Sequence, residues 1–435
     1  MVTLSWFTRV FCVSAPTDTE KKQHHKILII GGGTGGIAVA SRLSRKFPNK
    51  IALVEPSKVH FYQPMWTLVG SGLRPLKDSF KPMSDVLPRN VKLIQDRVTK
   101  FEPEDSRLVL SNGQELSYDY LVLALGMSLR YEKIPGAVEA LEKDPRVCSN
   151  YSFNYVPKTV EACRKFSGGH AVFTLPSGPV KCAGASQKIM YMFEDSLRRG
   201  GKRDGAEFDY FTAMHQMFTV DRYAESLAQI CKKRDIRYHF FHNLVKVDHT
   251  KSEAVFENVK TKELKTVHYD LLHITPPMSV PDVLKNTPKM CNPAIHDYVN
   301  VDPNTLQHKE FKNVFALGDC AALPTSKTAA AVCCQSDTVS RNLCNLINGG
   351  KGDVSKYDGY TACPFITARG RGILAEFNYK HVPLETSPLD QSKDRFFCYF
   401  MKTVVMPPIY WHLLIKGRWS GPKLARKILH FGFSE

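Results

Sequence analysis

Three glycines and an acid are the first residues in the chain whose spacing implies chemistry. In "KILIIGGGTGGIAVASRLSRKF", Gly31, Gly33 and Gly36 follow a β-rich apolar run, Ile27 to Ile30, and open a helical pattern. The first glycine permits a tight turn, the second lets a pyrophosphate approach the backbone, and the third lets helix and strand pack closely. The helix start adds unpaired N–H groups and a partial positive charge for the phosphates. The next strand, "IALVEP", ends in Glu55, where a carboxylate can bind ribose hydroxyls. Strand, spacing and acid agree on a dinucleotide site.

A second stretch, "SGPVKCAGASQK", Ser177 to Lys188, follows the strand pattern "HAVFTL". Its glycines fall at 178 and 184 with Cys182 between them, so a pyrophosphate-binding turn is absent. Cys182 is predicted in the first turn of a helix, where the dipole favours thiolate, the form that attacks disulfides and can form a complex with a flavin. Lys188, further along that helix, either draws an anionic reactant or is a surface lysine. Glu194, beyond it, is a candidate proton carrier. The chain has 12 cysteines in 435 residues, too sparse and too long for a secreted disulfide framework, and none has metal-ligand spacing. No metal site is expected. Cys148 reads as an incidental thiol and the Cys333–Cys334 pair as helix packing.

These residues need strands and helices in alternation to hold them. After the first βαβ unit come short strands with an "SNG" hairpin, closing on the buried strand Tyr120 to Leu125. The middle region repeats strand and helix, and "NVFALGDCAALPTSKTAAAVCCQ" gives a further strand, loop and small-residue helix. The expected fold class is α/β, two Rossmann-like dinucleotide-binding domains in tandem with a C-terminal membrane-associating helical segment. The expected bounds are 1–24 for a presequence or disordered tail and 25–149 with 296–375 for a discontinuous first domain. Residues 150–295 form the second Rossmann-like domain and 376–435 the anchor.

"YDYLVLALG" and "NVFALGD" after an N-terminal dinucleotide fold resemble the two-dinucleotide-binding flavoprotein reductases. That resemblance implies FAD in the first fold, with Asp319 on its ribityl–phosphate part. Read from residues alone, Lys327 is a solvated loop lysine; the resemblance puts it near the flavin pyrimidine edge, where a cation stabilises the anionic reduced ring. NADH-using members carry a second G-x-G-x-x-G in the middle domain, so its lack here argues against nicotinamide as donor. "FYQPMWTLVGSG", "KCAGASQKIMY", "GDCAALPTSKTAAAV" and "YTACPFIT" are together similar to the sulfide:quinone oxidoreductase family, from about residue 25 to the C-terminus. Without it, Cys182 and Cys363 are two unrelated buried thiols; with it, they are the redox-active bridge. The family's FAD contacts fall on Gly33, Thr34, Glu55, Gln63, Val98, Asp319 and Lys327. The resemblance also implies the reaction: hydrogen sulfide opens the bridge, Cys363 takes the transferable sulfur, and Cys182 faces the flavin. Two electrons then pass through FAD to ubiquinone, and the sulfur goes to glutathione or sulfite.

The net charge of +17 suits nucleic acid, anionic lipid or small acidic substrates. No compact basic helix occurs outside the C-terminal segment, so nucleic acid is not expected. In "FFCYFMKTVVMPPIYWHLLIKGRWSGPKLARKILHFGF", aromatics alternate with Lys402, Lys416, Arg418, Lys423, Arg426 and Lys427, and Pro407 and Pro408 are predicted to split it into two short helices. Such pieces suit an interfacial anchor on anionic lipid, where quinone must enter; Phe397 and Tyr410 are candidate quinone contacts. The N-terminal "MVTLSWFTRVFCVSAPT", basic and hydroxyl-rich, reads as a mitochondrial presequence, so the expected place is the mitochondrial inner membrane, monotopically bound. The competing readings are a type II NADH:quinone oxidoreductase and a non-enzymatic basic flavoprotein.

Overall fold

The computed structural model describes residues 22–432. The predicted presequence lies outside these residues except at its end. The first strand runs from Lys22, not Ile27, because its neighbour pairs it from Lys22↔Glu115 onward. Residues 22–24, expected in the disordered tail, are therefore part of the sheet.

The first half of the chain supplies β1 (Lys22–Ile30), α1 (Thr34–Leu43), β2 (Ile51–Val54), β3 (Val91–Ile94), β4 (Val98–Glu102), β5 (Arg107–Leu110) and β6 (Glu115–Leu123). Then come β7 (Val147–Cys148), β8 (Gly169–Leu175), α2 (Ala185–Arg199), β9 (Ala206–Thr212), α3 (Asp221–Lys233), β10 (Ile236–His239) and β11 (Leu271–His273). β12 (Val314–Ala316), α4 (Ala329–Ile347), β13 (Thr361–Ala368) and β14 (Arg371–Phe377) follow.

The first sheet has the order β3-β2-β1-β6-β5-β4, with β12 also on β6. β6 divides one edge between antiparallel β5 near its start and parallel β12 near its end, while β1 pairs along its other edge. The central strands are apolar on both faces, as a parallel sheet covered on both sides requires; Ile27 to Ile30 and Leu121 to Leu123 are buried. The second sheet is all parallel in the order β7-β11-β8-β9-β10.

The hairpin β13–β14 was not predicted. It packs against α2, and it carries Cys363 on its first strand, opposite Ala375. The C-terminal segment also differs from expectation. Phe396–Phe400, Met401–Val405, Met406–Pro408 and Ile409–Leu414 run on as alternating α and π turns, here α5, so the two prolines do not split it. Pro407 cannot donate to the carbonyl of Thr403 in the turn below, and Arg74 Nη2 takes that carbonyl at 3.0 Å. A last helix, α6, spans Lys423–Leu429.

Candidate active site

The glycine turn connects β1 to α1 as its sequence implies. Gly31 has φ +103°, and a Cβ there would lie 2.4 Å from the Ala124 carbonyl oxygen on the neighbouring strand. At Gly36 a Cβ would come within 1.8 Å of the Gly31 carbonyl oxygen, so helix and turn meet without room for a side chain. Gly33 differs: a Cβ would meet nothing within 4 Å, which leaves an open approach to the head of α1. Gly33 is the N-cap and offers no side chain to the first-turn N–H groups, and no acid occupies that turn. Glu55 closes over the turn, one oxygen accepting from Gly32 N at 2.6 Å and the other from Ser57 N at 2.8 Å. An open cradle with free N–H donors fits a dinucleotide pyrophosphate, and Gly31, Gly33, Gly36 and Glu55 are the residues that would hold it. Gly36→Ala is expected to cost about 1–3 kcal/mol of stability through overpacking against backbone. It should also weaken retention of yellow colour, read by a thermal melt beside the visible spectrum.

The remaining predicted cofactor residues lie on several different elements. Thr34 opens α1, and its hydroxyl lies 2.9 Å from that of Tyr410. Gln63 is exposed at the start of a short 3₁₀ turn, Gln63–Met65. Val98, on β4, gives its side chain to the apolar core. Asp319, in the turn Gly318–Cys320 after β12, faces Lys181 and Lys327, whose charges oppose the rise that burial causes in its carboxyl. Lys327 is not a solvated loop lysine. It is buried, donates to the carbonyls of Ala321 at 2.7 Å and Leu323 at 3.2 Å, and lies over the Tyr298 ring. Burial brings its ammonium down to about 8, against the pull of Asp319.

Cys182 is brought to this cluster by backbone. Its N–H donates to the Lys327 carbonyl at 3.0 Å, and Lys181 and Lys327 form a bridge. The predicted position in the first helical turn is corrected here, because α2 begins only at Ala185 and Cys182 sits in the turn before it. Cys182 has φ +47°, a left-handed conformation that costs a non-glycine residue about 1–2 kcal/mol. Three hydrogen bonds hold it there: the one to Lys327, Ala185 N to the Cys182 carbonyl at 2.8 Å, and Tyr151 Oη to the same carbonyl at 3.0 Å. Strain kept by that many restraints marks a side chain whose aim matters.

Cys363 reaches Cys182 from the hairpin β13–β14. Gly184 makes the approach possible, since a Cβ at that N-cap would be 2.6 Å from the Phe365 ring and 3.0 Å from Cys363 Sγ. The two thiols interact, Cys363 towards Cys182, both are free, and Cys182 packs against the apolar cluster that holds Cys363. Lys188 stands with them. It is 2 % exposed, its Nζ lies 3.4 Å from Cys182 Sγ, and it sits over the Phe365 ring at 5.4 Å. The surface-lysine alternative is thus excluded. Burial works against its charge, yet the two sulfurs together hold its ammonium above the ordinary value.

The hydrogen bond from Cys363 holds the Cys182 thiol well below its usual range, against burial and with help from Lys188 and Lys402. The same bond, together with burial, pushes the Cys363 thiol well above it. Lys188 makes the pair asymmetric in geometry too, since its Nζ stands 3.4 Å from Cys182 Sγ and favours the thiolate there. Cys148 has no part in this, being fully buried on β7, where burial pushes its thiol up to about 12. Glu194 is three turns down α2, ion-paired with Arg203 and Arg234 at 3.4 Å, so the structure places it away from the thiols.

Lys402 was missed. Sequence reading put it on a basic lipid-facing surface, but it is 3 % exposed, donates to the Pro64 carbonyl at 2.9 Å and adds charge beside both cysteines. Burial, then Lys188, bring its ammonium down to about 7. A single cation in the apolar run "FFCYFMKTVVM" was the available signal, since such a residue is either exposed or paired inside. Tyr410, a suggested quinone contact, is buried against the glycine turn instead.

The family described as "Pyridine nucleotide-disulphide oxidoreductase" matches residues 25–164. The chain is 47% identical over 415 residues to the mitochondrial sulfide:quinone oxidoreductase of Mus musculus, covering 95% of this chain and 91% of that one. To the mitochondrial sulfide:quinone oxidoreductase of Dictyostelium discoideum it is 45% identical, covering 91% and 87%. Its fold matches the solved sulfide:quinone oxidoreductase of Aquifex aeolicus with a TM-score of 0.79 at 19% identity, over 94% and 95% of the two chains. Identity at this level, over almost the whole length of the animal and amoebal proteins, leaves one assignment: the chain belongs to the mitochondrial sulfide:quinone oxidoreductase family of FAD-dependent flavoproteins.

Proposed function

We propose that the protein oxidises hydrogen sulfide at a Cys182–Cys363 bridge, delivers two electrons to a membrane quinone and hands the sulfur to a small nucleophile such as glutathione or sulfite. The observation that carries this reading is the convergence of Cys182 and Cys363 beside Gly184, with the Lys188 ammonium 3.4 Å from Cys182 Sγ. In the oxidised protein, hydrosulfide attacks Cys363 Sγ, the S–S bond breaks, and its electron pair leaves with Cys182 as thiolate. The product at Cys363 is the persulfide, Cys363–S–SH, so charge and sulfur balance. The direction follows from the placement of Lys188, whose ammonium stands 3.4 Å from Cys182 Sγ and favours that sulfur as the departing thiolate. Lys188, fixed at Cys182 Sγ, neutralises the sulfur that departs. The acceptor, glutathione thiolate or sulfite, then attacks the outer sulfur, forms a new S–S bond to it, and releases the Cys363 thiolate.

When bound, FAD would supply a two-electron acceptor that quinone can reoxidise. This chain's part is to close the bridge again when the two electrons leave it. Cys182 is tied through its own N–H to Lys327, which favours Cys182 as the flavin-facing sulfur. Anaerobic sulfide should bleach the flavin of the holoprotein, and quinone should restore the colour. Bleaching by NADH without sulfide would favour the type II NADH:quinone reading instead.

The membrane quinone has to enter from lipid, and the C-terminal segment is the proposed lipid-facing part. Among the described residues no helix is long and apolar enough to cross a membrane. α5, α6 and the turn after it nevertheless leave Phe396, Phe400, Leu424, Ile428 and Phe431 exposed, with Lys423 and Lys427 also exposed on α6. That mixture supports in-plane binding at an anionic interface, of the inner mitochondrial membrane in this proposal. Leu424→Asp with Ile428→Asp is expected to weaken cosedimentation with anionic phospholipid vesicles about tenfold or more while leaving bulk folding intact.

A further inference from the structure

Tyr410, far from the glycine turn in sequence, closes a ring of hydrogen bonds with it. Its hydroxyl is 2.9 Å from Thr34 Oγ1 and 2.8 Å from His60 Nε2, with the Phe61 carbonyl further off at 3.3 Å. His60 Nδ1 lies 2.9 Å from the Gly32 carbonyl oxygen. The direction of each bond follows from what each atom can do. A carbonyl only accepts, so His60 Nδ1 carries the proton. Burial brings the His60 imidazolium down to about 4, which leaves the ring neutral and Nε2 an acceptor. Tyr410 therefore donates to His60 and must accept from Thr34. The chain runs Thr34 to Tyr410 to His60 to Gly32, beginning and ending in the same turn. His60 and Tyr410 are buried, and Tyr62 stacks on Tyr410 at 4.0 Å.

The same C-terminal segment grips the last turn of α1 and the residues just after it. Ser41 Oγ donates to the Ile415 carbonyl at 2.6 Å, Arg42 Nη2 to that of Trp419 at 2.5 Å, and Arg45 to that of Lys416. Gly417, at φ +65°, passes so close that a Cβ would meet Arg42 Cγ at 2.8 Å.

We propose that Tyr410 is a positioning residue for the dinucleotide: with Thr34 and His60 it forms a clasp by which the lipid-facing C-terminal segment fixes the glycine turn and α1 in the shape that retains FAD. The clasp consumes the single Thr34 hydroxyl proton. Thr34 then serves a phosphate through its backbone N–H at the head of α1, its hydroxyl proton being committed to Tyr410. This inference rests on the FAD dependence of the family and is indifferent to which substrate opens the dithiol bridge.

The test is the FAD dissociation constant of the full chain, read from the fluorescence of released flavin on dilution and on titrating apoprotein back. Tyr410→Phe keeps the ring on Tyr62 and removes only the hydroxyl. It is expected to raise the constant about tenfold, as loss of a buried hydrogen bond would. Thr34→Val should match it, Thr34→Ser should restore retention, and the Tyr410→Phe/Thr34→Val double variant should lose little more than either alone, because one break opens the ring. An unchanged constant in both single variants would overturn the proposal. So would fully additive losses, or a fall in apoprotein melting temperature with no change in FAD affinity.

Discussion

Cys182→Ser is expected to lower sulfide-dependent quinone reduction by about a thousandfold or more, the scale set by removing a covalent reactant from a concerted site. Serine occupies nearly the same volume, so the left-handed turn, the Lys327 and Tyr151 hydrogen bonds and the Lys188 cavity should survive. The holoprotein should stay yellow and folded. It should also lose the response of the flavin spectrum to anaerobic sulfide, because no thiolate remains to leave from Cys363. Cys363→Ser should fail at the same step for a different reason: no sulfur remains there to accept hydrosulfide. Stopped-flow spectra of both variants separate a lost reaction from lost cofactor. Retained sulfide bleaching in either variant would remove that cysteine from the reaction.

Lys188→Met carries the second largest effect. Methionine fills most of the buried stem space near Phe365 but takes away the charge next to Cys182 Sγ. Hydrogen bonds to charged groups are worth about 1.5–3 kcal/mol, so activity at neutral pH should fall about tenfold to a hundredfold. The sign of the pH dependence follows from the thiol. With Lys188 present the Cys182 thiol lies well below its usual range, so thiolate is populated across neutral pH. Without the ammonium its pKa rises, and the limb of the pH–rate profile that reports thiolate moves to higher pH. Part of the loss should therefore be recovered in alkaline buffer. Lys188→Arg should retain the charge but not fit the compact site between Sγ and the Phe365 ring, and should recover activity only in part. A profile unmoved in Lys188→Met would show that Cys363 and Lys402 set the thiolate without it.

Local features were legible and tertiary ones were not. Gly31, Gly33, Gly36 and Glu55 sit within one βαβ unit, where each spacing maps directly onto a turn, so the chain order alone reports the cradle. Cys182 was legible as an odd residue in a strand-to-helix turn, although its place one turn before α2 was not. Its left-handed conformation is imposed by Lys327 and Tyr151, which come from other parts of the chain. Cys363 has no local pattern at all. Its meeting with Cys182 depends on the hairpin β13–β14 lying across α2 at Gly184, and only similarity to a known family pointed to it. The C-terminal segment shows the same limit from the other side. Lys402 and Tyr410 read as interfacial side chains because their segment is basic and aromatic, but α5 turns those two inward, one to the thiols and one to the glycine turn. Burial of that kind is decided by what packs above a helix, which composition does not report.

The central claim is that Cys182 and Cys363 form one covalent redox unit. Peptide mapping of the air-oxidised holoprotein under non-reducing conditions, with free thiols alkylated first, tests it most directly. The predicted result is a single cross-linked species joining the peptides of Cys182 and Cys363, at the mass of a disulfide or with one further sulfur, that separates on reduction. Recovery of both cysteines as alkylated free thiols, or of either joined to another cysteine, would contradict it.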